Sequence, residues 1–183
     1  MHRQVEKILQ MARFERGDIE LKHEPINVHD LLEAVGESFS LQVEQRGGGL
    51  EQVLAADSSD IRGDRVHLES IFSNLVDNAV KYSPAAPQVK VATAVDDGFL
   101  IVKVTDHGLG IDRENQRRVF EKYYRCPTGN RHDVKGYGLG LSFVQSLVAA
   151  HGGFVELHSL PGQGTTVTVS LPLITAEKTE DQS

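Results

Sequence analysis

Apolar positions along this chain fall into two rhythms, one helical and one alternating, and the switch between them outlines the elements. Val5, Ile8, Leu9, Ala12 and Phe14 recur at helical spacing over residues 2–14, ahead of the breaker Gly17. That stripe meets no apolar partner in the next residues, so this helix is expected to pack on something outside the chain. Residues 19–28 read as a short extended stretch. An amphipathic helix is predicted over 29–45, stopped by Gly47-Gly48-Gly49. Residues 51–57 suggest a strand. A long helix follows over 64–82, with Leu68, Ile71, Phe72, Leu75, Val76, Ala79 and Val80 on one wide stripe.

Beyond Ser83-Pro84 the rhythm changes. Residues 88–95 and 99–106 alternate like paired strands around Asp96-Asp97-Gly98. A short helix is predicted over 112–122 and a second strong one over 139–151, closed by Gly152-Gly153. Residues 154–160 and 165–171 form another hairpin around Pro161-Gly162-Gln163-Gly164. The polar, acidic end from Ile174 to Ser183 is expected to fray. The sequence shows no internal repeat. The order predicts an α/β fold with a mixed, mostly antiparallel sheet and its helices on one face. Two successive hairpins argue against a doubly wound parallel sheet.

Composition narrows the function classes. With 39% hydrophobic and 25% charged residues, the 183-residue chain can bury a core. Its net charge of −7 disfavours a nucleic-acid partner. A single cysteine, Cys126, excludes an internal disulfide and a cysteine-based zinc site, and suits a reducing compartment. No apolar run reaches the about 18–20 residues of a membrane span, and no signal-peptide core follows Met1. The expectation is a cytoplasmic domain.

Three motifs carry chemistry. Asn74, Asn78 and Lys81 lie at i, i+4 and i+7 and share one helix face. Two amide oxygens one turn apart suit a Mg²⁺ ion whose other ligands are phosphates and water, with Lys81 as a point charge beyond them. A solvated polar face has the same spacing. Asp106-His107-Gly108-Leu109-Gly110-Ile111 ends a strand with two glycines that permit close approach of the backbone to a ligand. The Asp106 carboxylate could accept from adenine's amino group, where guanine presents a carbonyl. A tight turn capped by Asp is the plainer alternative. Gly136-Tyr137-Gly138-Leu139-Gly140-Leu141 opens a helix, where uncapped amides can face an anion. It is neither a P-loop nor a dinucleotide fingerprint. Between the two glycine motifs, residues 113–135 hold seven basic against three acidic side chains, a local +4 that suits a polyphosphate or a solvated loop.

In order, Asn74–Ser83, Asp106–Ile111, Val119-Phe120-Glu121, Gly136–Leu141 and Gly162–Thr166 resemble the N, G1, F, G2 and G3 boxes of the sensor histidine kinase catalytic domain. This is the Bergerat fold shared with gyrase, Hsp90 and MutL. The resemblance spans about residues 20–173 and implies a two-layer α/β sandwich, with ATP held between the Asn-bearing helix and a lid near 123–137. It implies that Asn74 and Asn78 serve Mg²⁺ and that Lys81 serves the phosphates. Tyr82 would pack on adenine, and Asp106 would bind its amino group with support from Thr165. Gly108, Gly110, Ile111, Gly136, Gly138, Leu139, Gly140 and Leu141 would shape the pocket and the lid hinge. Arg125 is the candidate for the γ-phosphate.

One position bears on the reaction. ATP-hydrolysing relatives carry Glu where Asn74 stands, and an amide cannot act as the base that activates water. An imidazole nucleophile needs no such base, so Asn74 points to phosphoryl transfer to histidine. Residues 1–18 resemble the remnant of the second helix of a dimerisation and phosphoacceptor hairpin with its linker, followed by the catalytic domain at 19–173 and a flexible acidic tail at 174–183. None of the eight histidines has the phosphoacceptor context. The expectation is therefore a mostly monomeric piece of a longer kinase, serving a hairpin and, through it, a response regulator. A nucleotide-gated binding module and a Bergerat-fold ATPase are the rival readings.

Overall fold

Capping side chains start both long helices where the sequence changes rhythm. The computed structural model describes residues 21–126 and 138–174. Strand β1 (Glu24–Asn27) runs into helix α1 (Val28–Gln45), where the Asn27 side chain accepts from the backbone N–H of His29 at 3.0 Å and of Asp30 at 3.2 Å. Strands β2 (Gly49–Leu54) and β3 (Asp60–Gly63) precede helix α2 (Arg65–Lys81), which Asp64 caps through the N–H groups of Val66 and His67. The apolar stripe read from the sequence is the buried face of α2, and Asn74 is buried with it.

Strands β4 (Gln88–Asp96) and β5 (Phe99–Asp106) follow, then the single-turn helix α3 (Arg113–Gln116). Helix α4 (Gly140–Ala150) and strands β6 (Phe154–Leu160) and β7 (Gly164–Pro172) complete the described chain. The five-stranded sheet runs β2-β4-β5-β7-β6. Only β2 and β4 are parallel, and α2 lies within the crossover that such a pair requires. The two predicted hairpins are present, β4 with β5 and β6 with β7.

Alternation buries Val89, Val91, Leu100, Val102, Val104, Val167, Val169 and Leu171 on one sheet face. Helix α1 packs on α2 and β2, α2 on α4, β4 and β5, and α4 on β6 and β7, so the helices share that face. The register sets Asp106 opposite Thr165 at one end of the central strands. At the other end β1 and β3 form a small antiparallel pair, tied to the chain end by the bridge between Ile61 and Leu173. Among the described residues no helix is long and apolar enough to cross a membrane.

Three details differ from the sequence reading. Strand β3 was not anticipated, since four residues offer too little alternation. Only the last part of 19–28 is strand, and the strand expected at 51–57 lies at 49–54. The helix expected over 112–122 stops at Gln116, and 117–120 continue as turns. Val119 is the only buried apolar side chain in that stretch, too little to dock a longer helix. The expected helix at 2–14 and the tail beyond Ile174 lie outside the described residues.

Candidate functional site

At the end of the sheet marked by Asp106 and Thr165, three glycine-rich turns converge on the C-terminal half of α2. Asp106 closes β5, and its Oδ1 accepts the Gly108 N–H at 2.8 Å and the Thr165 N–H at 3.3 Å. Both donors act on one oxygen. Among the described residues none donates to Oδ2, so the carboxylate keeps one acceptor to offer. Burial pushes this carboxyl above its ordinary pKa, opposed by those two N–H groups and by His107.

Close backbone approach explains the glycines around it. A Cβ on Gly110, which has φ +66°, would stand 1.9 Å from the Leu160 carbonyl oxygen. One on Gly164, at φ +100°, would stand equally close to the Asp106 carbonyl oxygen. The 106–111 turn is thereby pressed onto the β6–β7 hairpin, and the Gly162 N–H donates to the Leu109 carbonyl at 2.7 Å. On its other side Leu109 N–H donates to the Tyr82 carbonyl at 3.1 Å, which joins the turn to the end of α2.

Two residues of this junction escaped the sequence reading. Ser159 Oγ accepts the Ile111 N–H at 2.8 Å, donates to the Gly164 carbonyl at 2.8 Å and meets Thr165 Oγ1 at 2.9 Å. Gln116 spends both amide protons, on the Ile111 carbonyl at 2.7 Å and the Ser159 carbonyl at 2.8 Å. Thr165 therefore supports Asp106 through its backbone, while its hydroxyl serves Ser159. The signal for Ser159 was legible: it follows Val155 and Leu157 in the inward phase of β6, where an apolar residue is the rule.

The two asparagines sit on α2 facing the start of α4. Asn74 Nδ2 donates back to the Ser70 carbonyl at 2.5 Å, which fixes the orientation of its amide. A Cβ built on Gly140 would lie 3.9 Å from Asn74 Oδ1, 3.9 Å from Asn78 Oδ1 and 3.6 Å from Asn78 Nδ2, so the glycine keeps the space before both amides clear. Among the described residues no side chain caps the start of α4 at Leu139, where first-turn amides can face a ligand. Leu139 and Leu141 themselves pack against the hydrophobic core and anchor that turn.

Lys81 and Tyr82 end α2, with Lys81 Nζ 5.8 Å from the Tyr82 ring centre. Tyr82 is 37% exposed, so part of its ring can receive a planar ligand. Burial raises its phenol pKa, and the Arg125 charge opposes that rise, placing Arg125 within electrostatic reach of the same pocket. Burial and Asp112 also raise the Cys126 thiol, as suits an unreactive bystander.

The root of the segment between the glycine motifs is built firmly. The Tyr124 hydroxyl donates to Asn115 Oδ1, and the Arg118 guanidinium lies 4.1 Å from the centre of its ring. Tyr123 N–H donates to the Gly138 carbonyl at 2.9 Å, joining the two flanks. Residues 127–137, which include Gly136 and most of the expected lid, lie outside the described residues. The structure thus brings Asn74, Asn78, Lys81, Tyr82, Asp106, Gly108, Gly110, Ile111, Gly138, Leu139, Gly140, Leu141 and Thr165 to one end of the fold, with Arg125 beside them.

The chain is similar to known proteins over most of its length. A family model described as histidine kinase-, DNA gyrase B-, and HSP90-like ATPase matches residues 63–175. The sensor protein RprX of Bacteroides fragilis is 39% identical over 93% of this chain and 33% of its own length. The chain thus spans about a third of that curated relative. The crystal structure of full-length ShkA in complex with AMPPNP superposes with a TM-score of 0.83 at 30% identity, over 94% of this chain and 36% of that one. The catalytic domain of the histidine kinase ThkA, at 20% identity, shares the fold with a TM-score of 0.72 over 84% of this chain and 98% of its own.

Proposed function

This chain belongs to the histidine kinase-, DNA gyrase B-, and HSP90-like ATPase family, as an ATP-binding domain of the sensor histidine kinase kind, and from that premise we propose that it transfers the γ-phosphoryl group of Mg-ATP to a histidine on a phosphoacceptor hairpin. The observation that carries this reading is the Asp106 carboxylate, saturated on one oxygen and open on the other, at the end of the sheet where Asn74 and Asn78 face an uncapped helix start.

Each group has a task in that reaction. Asp106 Oδ2 accepts from the adenine amino group, and Tyr82 covers the base. The first-turn amides of α4, Lys81 and Arg125 meet the phosphates. Asn74 and Asn78 suit Mg²⁺: the back-bond to Ser70 orients one amide, and the glycine at 140 leaves room before both. When bound, the ion would supply charge neutralisation to the phosphates. In the transfer the bond from the γ-phosphorus to the bridging oxygen breaks and a nitrogen–phosphorus bond forms. ADP leaves, and the imidazole loses its proton. Catalysis is then mainly positioning and charge neutralisation. Asn74 supplies no base, which favours an imidazole acceptor over water.

The proposal extends to the parent protein. Residues 1–18 belong to the end of a dimerisation helix, 19–173 to the catalytic unit and 174–183 to a tail. The hairpin pairs in a homodimer and passes phosphate to a response regulator, and the fragment alone is mostly monomeric. The test is incubation with γ-labelled ATP, with and without a separately supplied hairpin. Label should enter the hairpin alone and be lost in acid. Acid-stable label on this chain, or release of free phosphate with none on the hairpin, overturns the proposal.

A further inference from the structure

Arg46 lies outside every motif, at the junction of α1 with the triple-glycine turn. Its guanidinium reaches the C-terminal end of the asparagine-bearing helix. Nη1 donates to the Val80 carbonyl at 2.5 Å, and Nη2 donates to the Ser83 carbonyl at 2.6 Å and to the Ala85 carbonyl at 3.4 Å. The last turn of a helix leaves carbonyls without intrahelical donors. In α2 the Asn78 carbonyl is taken by Tyr82 N–H, the Ala79 carbonyl by Ser83 Oγ and the Val80 carbonyl by Arg46. A fixed cation at this end also opposes the negative pole of the helix dipole.

The turn that Arg46 holds is wedged between two glycine turns. On the Arg46 side Gly49 N–H donates to the Pro87 carbonyl at 2.9 Å, and a Cβ on Gly48 would strike that carbonyl at 2.2 Å. On the other side the Tyr82 carbonyl receives Leu109 N–H, and a Cβ on Gly108 would stand 2.6 Å from it. Gly108 in turn supplies the shorter of the two N–H bonds to Asp106. Hydrogen bonds joined by short backbone stretches thus run from Arg46 through residues 80–85 to Leu109, Gly108 and the Asp106 carboxylate.

We propose that Arg46 is a positioning residue of the nucleotide site, holding the α2 terminus and the 82–85 turn so that the 108–109 backbone and Asp106 stand ready for the adenine end of the ligand. The inference rests on the ATP-binding reading above. It assigns Arg46 no contact with nucleotide. Its effect is expected at the base rather than at the phosphates, so ATP and ADP should be affected alike.

The test is calorimetric titration of the 183-residue chain with ATP and ADP, paired with hydrogen exchange of the nucleotide-free protein. Arg46→Ala should weaken both nucleotides by about tenfold, the scale of one lost charged hydrogen bond, and speed exchange at the Leu109 amide. Arg46→Lys keeps the charge without the fork and should recover part of the loss, and it serves alone if the alanine variant does not fold. Val35→Ala, on the buried face of α1, is the control for lost stability and should leave both affinities unchanged. Unchanged affinity and unchanged Leu109 exchange in the Arg46 variants overturn the inference. So does an equal loss of affinity in Val35→Ala at the same drop in melting temperature. If the unsubstituted chain binds no ATP, the function proposed above fails and this inference falls with it. ATP binding that survives Arg46→Ala intact removes this inference alone.

Discussion

Replacing Asp106 by asparagine should separate binding from folding in this domain. The carboxylate accepts two backbone N–H groups on Oδ1, and among the described residues none donates to Oδ2. In Asp106→Asn, the amide oxygen must take the Oδ1 position, because the alternative rotamer aims an NH₂ at the Gly108 and Thr165 N–H donors. The amide nitrogen then replaces Oδ2 and presents a donor to the amino group of adenine. Losing a hydrogen bond to a charged acceptor costs about 1.5–3 kcal/mol, which corresponds to roughly 10–150-fold in the dissociation constant for ATP. Stability should move the other way or hardly at all. Burial raises the carboxyl's pKa in the folded state, so its ionised form at neutral pH costs folding free energy that a neutral amide does not. Titration calorimetry gives the affinity and thermal melting gives the stability. A variant that melts like the parent and binds ATP within twofold of it refutes the assignment. So does parental discrimination between ATP and GTP in the variant.

Three further outcomes follow. His151 Nε2 accepts the Asp64 N–H at 3.0 Å and Nδ1 meets the Leu147 carbonyl, so the folded protein needs the ring neutral. Burial lowers its pKa, the charges of His67 and His23 act in the same direction, and Asp64 and the Leu147 bond oppose it. The unfolded chain therefore takes up the proton first, and stability should fall as pH drops from about 6.5 toward the lower folded value; His151→Gln melts followed against pH should lack that step. Gly110→Ala places a Cβ against the Leu160 carbonyl at a positive φ and should cost at least about 2 kcal/mol, seen as a melting point lower by roughly 4–8 °C; a shift under about 1 °C contradicts the packing described. Asn78→Ala should abolish phosphoryl transfer and the Mg²⁺ dependence of ATP binding with little change in melting, and persistent Mg²⁺ stimulation in that variant would remove Asn78 from the ion's ligands.

The parts of the fold that were legible in the sequence are those written in long apolar periods. The α2 stripe from Leu68 to Val80 is buried as read, and the two hairpins turn at their glycine-bearing loops. Asp106 and Asn78 could be picked out because their spacing and neighbouring glycines are local. Strand β3 is too short to show a period, and its partner β1 lies 33 residues away at the closest pair, Asn27 with Asp60, and 39 at the farthest, Glu24 with Gly63. Gln116 and Arg46 were invisible for a related reason. Apart from the Ile111 carbonyl, five residues from Gln116, their partners are backbone carbonyls 34–43 residues distant, and no pattern in a linear sequence marks a donor for a remote carbonyl.

The pairing of β5 with β7 also dictates when the site can come into being. Asp106 and Thr165 are 59 residues apart, so their alignment belongs to the slow, long-range closures of the chain, after the local hairpins β4–β5 and β6–β7 can have formed. Until that closure the Asp106 carboxylate lacks one of its two donors, and the Gly110 turn has no hairpin to lean on. A half-folded chain lacks the proposed adenine site. Nucleotide consequently selects the finished topology over its precursors, adding stability by mass action to the native state alone. The ligand then acts as an assay of completed assembly, and its protection is expected at the junction between the two hairpins.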